Sequence, residues 1–255
     1  MIVHALIPAR GGSKTIPRKN VREYRGRPLI TWSIELALSV PTITRVVVST
    51  DCREIADIAR ESGADVPFLR PAEISGDISV DYECALHYLT YLHDNGEETP
   101  DLIVHLRPTY PNRSRAMLES ALALFMKDGE RYHSLRSVVP APISPMKCYI
   151  IGSDSQLQPL YPDWIDMCAL YRLAVAPCGA TAAAAAAEPY NSPRQILPAC
   201  YFHNGAIDIV WSRTVLEEHS ISGSVIMPFI MADDETNDID TEKDWQESVT
   251  AAGGK

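Results

Sequence analysis

Residues 7–20 read IPARGGSKTIPRKN. Gly11 and Gly12 allow a backbone to approach a ligand closely, and Ser13 adds a hydroxyl beside them. From residue 10 to residue 27 stand Arg10, Lys14, Arg18, Lys19, Arg22, Arg25 and Arg27, against a single acid, Glu23. That basic run lies in a chain whose formal net charge is −10. Concentrated positive charge on a glycine loop is suited to gripping a polyphosphate. The spacing matches neither GxxxxGK[ST] nor GxGxxG, which sets aside the usual ATPase and dinucleotide readings. The competing reading is a solvated basic loop. Near the other end, residues 233–244 read DDETNDIDTEKD. Asp238 and Asp240 fall on one side of an extended segment, because strand side chains alternate. Two hard oxygen donors on one face suit Mg²⁺, which takes one or two carboxylates together with substrate phosphates. Alternatively, Asp240 caps a helix beginning at Thr241. A cation and a basic loop acting on the same phosphates point to phosphoryl or nucleotidyl transfer.

The elements that must position these groups alternate along the chain. Residues 2–8 form an apolar run that predicts a buried strand, and 29–39 repeat apolar side chains at helical spacing. Residues 45–50 predict a strand, and Asp51 with Glu54 resembles a capping box opening the next helix. A short strand is expected at 66–69, a helix at 79–94, a strand at 101–106, a helix at 114–127 and a strand at 134–140. Strands resume at 206–211 and 225–230, before a last helix near Thr241. This is the α/β pattern of a mainly parallel sheet with helices on both faces. The glycine loop follows the first strand, where open α/β sheets bind ligands. Prolines break the rhythm between about 141 and 200, which reads as an excursion from one large domain spanning 1–255. Six consecutive alanines at 182–187 carry no chemistry.

An excess of 33 acidic over 23 basic groups argues against a nucleic-acid binder, whose non-specific affinity comes from neutralising phosphates. Six cysteines at 52, 84, 148, 168, 178 and 200 include no CxxC pair, so free thiols in a reducing cytoplasm are expected. No run of about 18 apolar residues occurs, so no membrane span is expected. The seven histidines form no cluster. Asp81, Tyr82 and Glu83 open a helix, where acids are usually dipole partners.

The run IPARGGSKTIPRKN resembles the N-terminal signature of the acylneuraminate cytidylyltransferases, also called CMP-sialic acid synthetases. Further similarities follow in order: VVVSTD at 46–51, LRPAEIS at 69–75, RPTYPNR at 107–113, PRQILP at 193–198, NGAI at 204–207 and DIDTEKDW at 238–245. The resemblance implies a Rossmann-like, GT-A-like nucleotidyltransferase sheet with an arm at 141–195 that helps build a homodimer. It implies that CTP is joined to a nonulosonic (sialic-type) acid with release of pyrophosphate and a requirement for Mg²⁺. Carried over residue by residue, Arg10, Ser13, Lys14, Lys19 and Asn20 would bind CTP, with Gly12 beside them, and Arg70 would lie by the cytidine. Lys147 and Arg194 would meet phosphate or the sugar carboxylate, and Arg107 and Asn204 would line the sugar pocket. Asp238 and Asp240 would hold metal, and Arg10, Lys19 and Asp240 would act in catalysis. Three positions depart from the sialate pattern: Arg107 stands for a glutamine, Phe202 for a polar residue, and Asp208 for an aromatic one. All three fall near the expected sugar pocket, so the sugar is left open. A GT-A-like glycosyltransferase or a non-catalytic nucleotide-binding module are the rival readings.

Overall fold

The first apolar run becomes β1 (Val3–Pro8), whose residues are buried up to Ile7. A strand covered on both faces reads as a continuous apolar run, and β4 (Arg45–Ser49) and β5 (Leu102–His105) follow the same rule. In this computed structural model, which describes residues 1–153, 155–160, 189–232 and 238–251, both strands pair with β1 in parallel. Between β1 and β4 in the chain, β2 (Glu23–Tyr24) and β3 (Arg27–Pro28) form a small hairpin after the glycine loop. Farther along lie β6 (Ser134–Pro140), β9 (Tyr201–Trp211) and β10 (Ile226–Ile230). The six-stranded sheet runs β10-β6-β9-β5-β1-β4. β10 is parallel to β6, and β9 is antiparallel to β5, placing His105 opposite Asp208.

Four helices connect the early strands: α1 (Leu29–Leu38), α2 (Arg53–Glu61), α3 (Asp81–Asp94) and α4 (Arg115–Asp128). In α3, Ala85, Tyr88, Leu89 and Leu92 share the i, i+3, i+4, i+7 face. They pack on Leu6, Val47, Ile103 and Val210 of the sheet. After β9 and β10 come α5 (Ser212–Glu217) and α6 (Glu242–Ala251). A second cluster joins Ile16 of the loop to Tyr24, Leu29, Ile239 and Trp245. Tyr24 stacks edge-on against both Trp32 and Trp245, and its hydroxyl bonds Ser248. Burying Ile239 beside Ile16 brings the acidic segment to the glycine loop.

Three local expectations are corrected. Residues 66–69 form no strand; a lone bridge, Val47 to Asp65, is all that remains, because Pro67 has no N–H to extend a ladder. Asp51 does not cap α2, whose N-cap is Cys52 without a side-chain bond. β9 begins at Tyr201, earlier than the expected 206, and contains Gly205 at φ +72, a left-handed break in the extended backbone that glycine tolerates.

The chain divides into two compact units, Met1–Val138 with His203–Lys255, and Val139–Phe202. The second contains the expected proline-rich excursion. It holds a hairpin of β7 (Tyr149–Ile151) and β8 (Leu157–Pro159), with 3-10 turns at Pro145–Lys147, Pro189–Asn191 and Arg194–Ile196. The alanine run 182–187 lies outside the described residues. Among the described residues no helix is long and apolar enough to cross a membrane.

Candidate active site

At the carboxyl end of β1 the glycine loop borders a cavity of about 290 Å³. The loop is held by its own neighbours. The Gly11 N–H donates to the Asp51 carboxylate at 2.8 Å, which is the work Asp51 does instead of capping α2. A Cβ on Gly11 would stand 2.9 Å from the Cys52 Cβ, so only glycine fits. Gly12, by contrast, meets nothing within 4 Å, leaving its backbone open toward the cavity. The Asn20 amide donates to the Arg10 carbonyl at 2.9 Å and closes the loop.

Of the seven bases in the run, the structure divides the set. Arg10 and Lys19 line the cavity with Ser13 and Asn20. Lys14 reaches its rim, pairing with Asp77 at 2.5 Å, while Arg10 donates to Asp77 at 3.0 Å and to the Gly76 carbonyl at 2.7 Å. The Lys14 hydrogen bond, with the nearby charge of Arg10, holds the Asp77 carboxyl below its usual range. Arg18, Arg22 and Arg27 instead pair with Glu54, Glu242 and Glu35, and Arg25 lies over the Tyr24 and Trp32 rings. Arg70, buried, also lines the cavity; its Nε donates to the Ser75 hydroxyl at 3.2 Å.

Lys19 spans from the cavity to the acidic segment, donating to the Ile239 carbonyl at 2.8 Å and to Asp240 at 3.2 Å. The cap of α6 is Thr241: its hydroxyl receives the Asp244 N–H at 3.2 Å, and Asp244 accepts the Thr241 N–H at 2.7 Å. Asp240 is therefore not needed as a cap. The Ile239 N–H donates to the Thr109 carbonyl at 2.8 Å, which docks the segment at the end of β5. Burial and the neighbouring charge of Asp240 push the Asp238 carboxyl up, against a hydrogen bond from Thr109. Two carboxylates that repel each other in this way form a set a hard cation can bind. Among the described residues no third His, Cys, Asp or Glu joins them.

Arg107, at the end of β5, forms the far wall. One of its Nη atoms donates to Asp208 at 2.8 Å and the other to Asp81 at 2.5 Å. Gly205 lies beside Arg107 with φ +72, a conformation that favours glycine, and a Cβ there would stand in ordinary contact with Asp238 Oδ2 at 3.6 Å and Arg107 Nη1 at 3.7 Å. Asp208 is only 2% exposed and also accepts from Arg136 Nε at 3.1 Å and bonds His203 Nε2 at 3.0 Å. Burial alone would raise its carboxyl. The His203 hydrogen bond and the charges of Arg107, His203 and Arg136 hold it well below the usual range instead. Burial would likewise raise Asp81, but the charges of His105 and Arg107 hold it low.

The expected residues thus separate into three groups. Arg10, Gly12, Ser13, Lys19, Asn20, Arg70 and Arg107 share one cavity, with Lys14 at its rim and Asp240 reached through Lys19. Asn204 is buried, its amide spent on the Ser137 hydroxyl at 2.7 Å and the Met231 sulfur at 3.3 Å. Lys147 and Arg194 belong to the second unit, where Arg194 lines a small hollow with Ser144 and Pro198. Sequence reasoning missed Asp77 and the Asp208 hub. An acid inside the apolar strand AIDIVW was the available signal, because a buried carboxylate demands partners.

The cytidylyltransferase family profile matches residues 4–104, the stretch holding the glycine loop and Arg70. The chain is 31% identical over 248 residues to CMP-N,N'-diacetyllegionaminic acid synthase of Legionella pneumophila, covering 96% of this chain and 94% of that protein. It is 27% identical over 241 residues to pseudaminic acid cytidylyltransferase of Campylobacter jejuni, covering 94% and 92%. Among solved structures, a CMP:2-keto-3-deoxy-manno-octonic acid synthetase complexed with CTP superposes with a TM-score of 0.65 over 99% of each chain. At 16% identity that likeness speaks for the fold alone. The α/β fold is therefore a shared architecture. The near full-length match to a CMP-sugar synthase places this chain in the cytidylyltransferase family of nucleotidyltransferases.

Proposed function

We propose that the protein transfers the cytidylyl group of CTP to a nonulosonic acid, giving the CMP-sugar and pyrophosphate. The observation that carries this is the joining of Arg10, Lys19 and Arg70 around an open glycine loop, with Lys19 tied to Asp240. The oxygen of the sugar's anomeric hydroxyl forms a bond to the α-phosphorus of CTP, the bond from that phosphorus to the bridging oxygen breaks, and the hydroxyl proton is lost to solvent or base. Arg10 and Lys19, with Lys14 at the rim, offset charge that builds on the departing pyrophosphate. Gly12 and Ser13 bring backbone and hydroxyl donors to the same phosphates, and Arg70 and Asn20 hold the nucleoside end. Asp238 and Asp240 would hold Mg²⁺, which supplies counter-charge to the phosphates. By family likeness, Lys147 and Arg194 would contact the sugar or phosphate, while Asn204, its amide held by Ser137 and Met231, would support the pocket wall.

The same reading makes the protein a homodimer in the cytoplasm. Ile151 is 72% and Leu157 65% exposed on the β7–β8 hairpin, an apolar surface that a second copy would cover. A monomeric mass by light scattering at micromolar concentration would remove the dimer. The reaction is tested by mixing protein, CTP, Mg²⁺ and a panel of nonulosonic acids and measuring pyrophosphate. Release with at least one acid, together with a CMP-sugar in the product, is expected. No release with any acid defeats the assignment.

A further inference from the structure

Arg107 lines the cavity just past β5, but both its Nη atoms are already committed to carboxylates, Asp81 and Asp208. Arg136 is placed differently. Only its Nε is engaged, by Asp208 at 3.1 Å, so its two Nη groups have no hydrogen-bond acceptor among the described residues. Its side chain is 25% exposed, whereas Asp208 beneath it is 3% exposed. A nearly buried carboxylate thus anchors a partly exposed guanidinium by its Nε and leaves its two Nη groups uncommitted. His203 takes a second bond on the same Asp208 oxygen and fixes the anchor from the other side.

The sheet order gives this fork its place relative to the nucleotide loop. Reading β1, β5, β9, β6, the strands carry the glycine loop at the end of β1, Arg107 just past β5, Asp208 and His203 in β9, and Arg136 in β6. Arg107 and Asp238 meet at Gly205, midway along that row. An acceptor lying over β9 and β6 would therefore sit beside the phosphates, with its anion facing Arg136.

Resting on the transfer reading above, we propose that Arg136, positioned by Asp208, is the residue that recognises the carboxylate of the sugar acid and selects it over an uncharged sugar. A planar fork with two free Nη groups matches a carboxylate bidentately. Arg107 serves as the strut between Asp81 and Asp208 and leaves this contact to Arg136. Asp208 is a positioning residue, since it touches the acceptor only through Arg136.

The test compares N-acetylneuraminic, pseudaminic and N,N'-diacetyllegionaminic acid, each as free acid and as carboxamide, in wild type, Arg136→Gln and Arg136→Lys. Wild type should favour the acid. Arg136→Gln should raise KM for the acid by about tenfold or more while KM for CTP changes less than about twofold, and its preference for acid over carboxamide should collapse. Arg136→Lys should recover part of that preference, because it restores the charge without the fork. Melting temperatures of the three proteins are measured alongside. A purely structural role would lower melting temperature, or move both KM values together, with the acid-to-carboxamide ratio unchanged, and that result overturns the inference while transfer stands. No pyrophosphate from wild type with any acid removes the transfer reading and this inference with it.

Discussion

Asp77 is the side chain whose role is easiest to overlook, because it pairs with two cations of the glycine loop, Arg10 and Lys14. A carboxylate bridging Arg10 and Lys14 occupies the donors that phosphate oxygens would use. Asp77→Ala should therefore lower KM for CTP, by about threefold at low salt and less at high salt, since exposed pairs are weak and screened. An unchanged or higher KM would show that Asp77 arranges the cations instead of competing for them. At the other end of Lys19, Asp240→Asn should reduce turnover by roughly a hundredfold or more by weakening the hold on the proposed Mg²⁺, which would supply counter-charge to the phosphates. Its melting temperature should barely move, because Thr241 and Asp244 cap α6 without it. A large loss of stability with full activity in the remaining folded protein would reverse that assignment.

Between elements, the cluster of Ile16, Tyr24, Leu29, Ile239 and Trp245 links the glycine loop to the start of α6. Ile239 is fully buried between two acids, so one residue both fills the core and sets the spacing of Asp238 and Asp240. Ile239→Ala should cost about 2–5 kcal/mol by removing buried methyl groups. It should also raise KM for CTP, because the Ile239 carbonyl receives Lys19. Chemical denaturation and steady-state kinetics on one preparation check both effects; destabilisation with an unchanged KM would separate the cluster from the site. The same segment shows how far local pattern reaches. The alternation of Asp238, Ile239 and Asp240 was legible, but whether Asp240 is needed as a cap depended on Thr241 and Asp244, which satisfy the helix end by themselves.

Across the whole molecule, two buried histidines tie stability to pH. Burial, with the charge of Arg45 adding to it, lowers His4 to about 4, and burial lowers His105 to about 4, against an ordinary value of 6.5. Between those limits the unfolded chain binds more protons than the folded one, so stability must fall as pH falls from about 6.5 to about 4. Each histidine contributes on the order of 3 kcal/mol across that range, at about 1.4 kcal/mol per pKa unit. Asp81 and Asp208, held low, add stability that is present above the ordinary carboxylate range and lost as pH falls through their folded values, so they deepen the loss at the acid end. Urea midpoints measured from pH 7 to pH 4.5 should decline steadily, and a flat profile would sink the claim. His4 lies at the opposite end of β1 from the glycine loop, so replacing it should flatten part of the profile without altering CTP binding.

Residue type and short spacing were enough to reveal the α/β alternation, the glycine loop after the first strand, and the acidic pair near the end. Those features are local: a strand's apolar run, a helix's repeating face and a glycine's missing Cβ are written in consecutive residues. Spacing could not decide which bases serve the cavity, because Arg10, Lys14 and Lys19 differ from Arg18, Arg22 and Arg27 in which acids the fold brings to them, most of them far along the chain. Nor could it reveal the Asp208 hub. Arg107 and Asp208 are separated by 101 positions and meet because β9 runs antiparallel beside β5, while Arg136 arrives from the next strand. Charge pairing at that separation is a product of strand order, and strand order leaves no period in the chain; only the folded sheet decided which cations line the cavity.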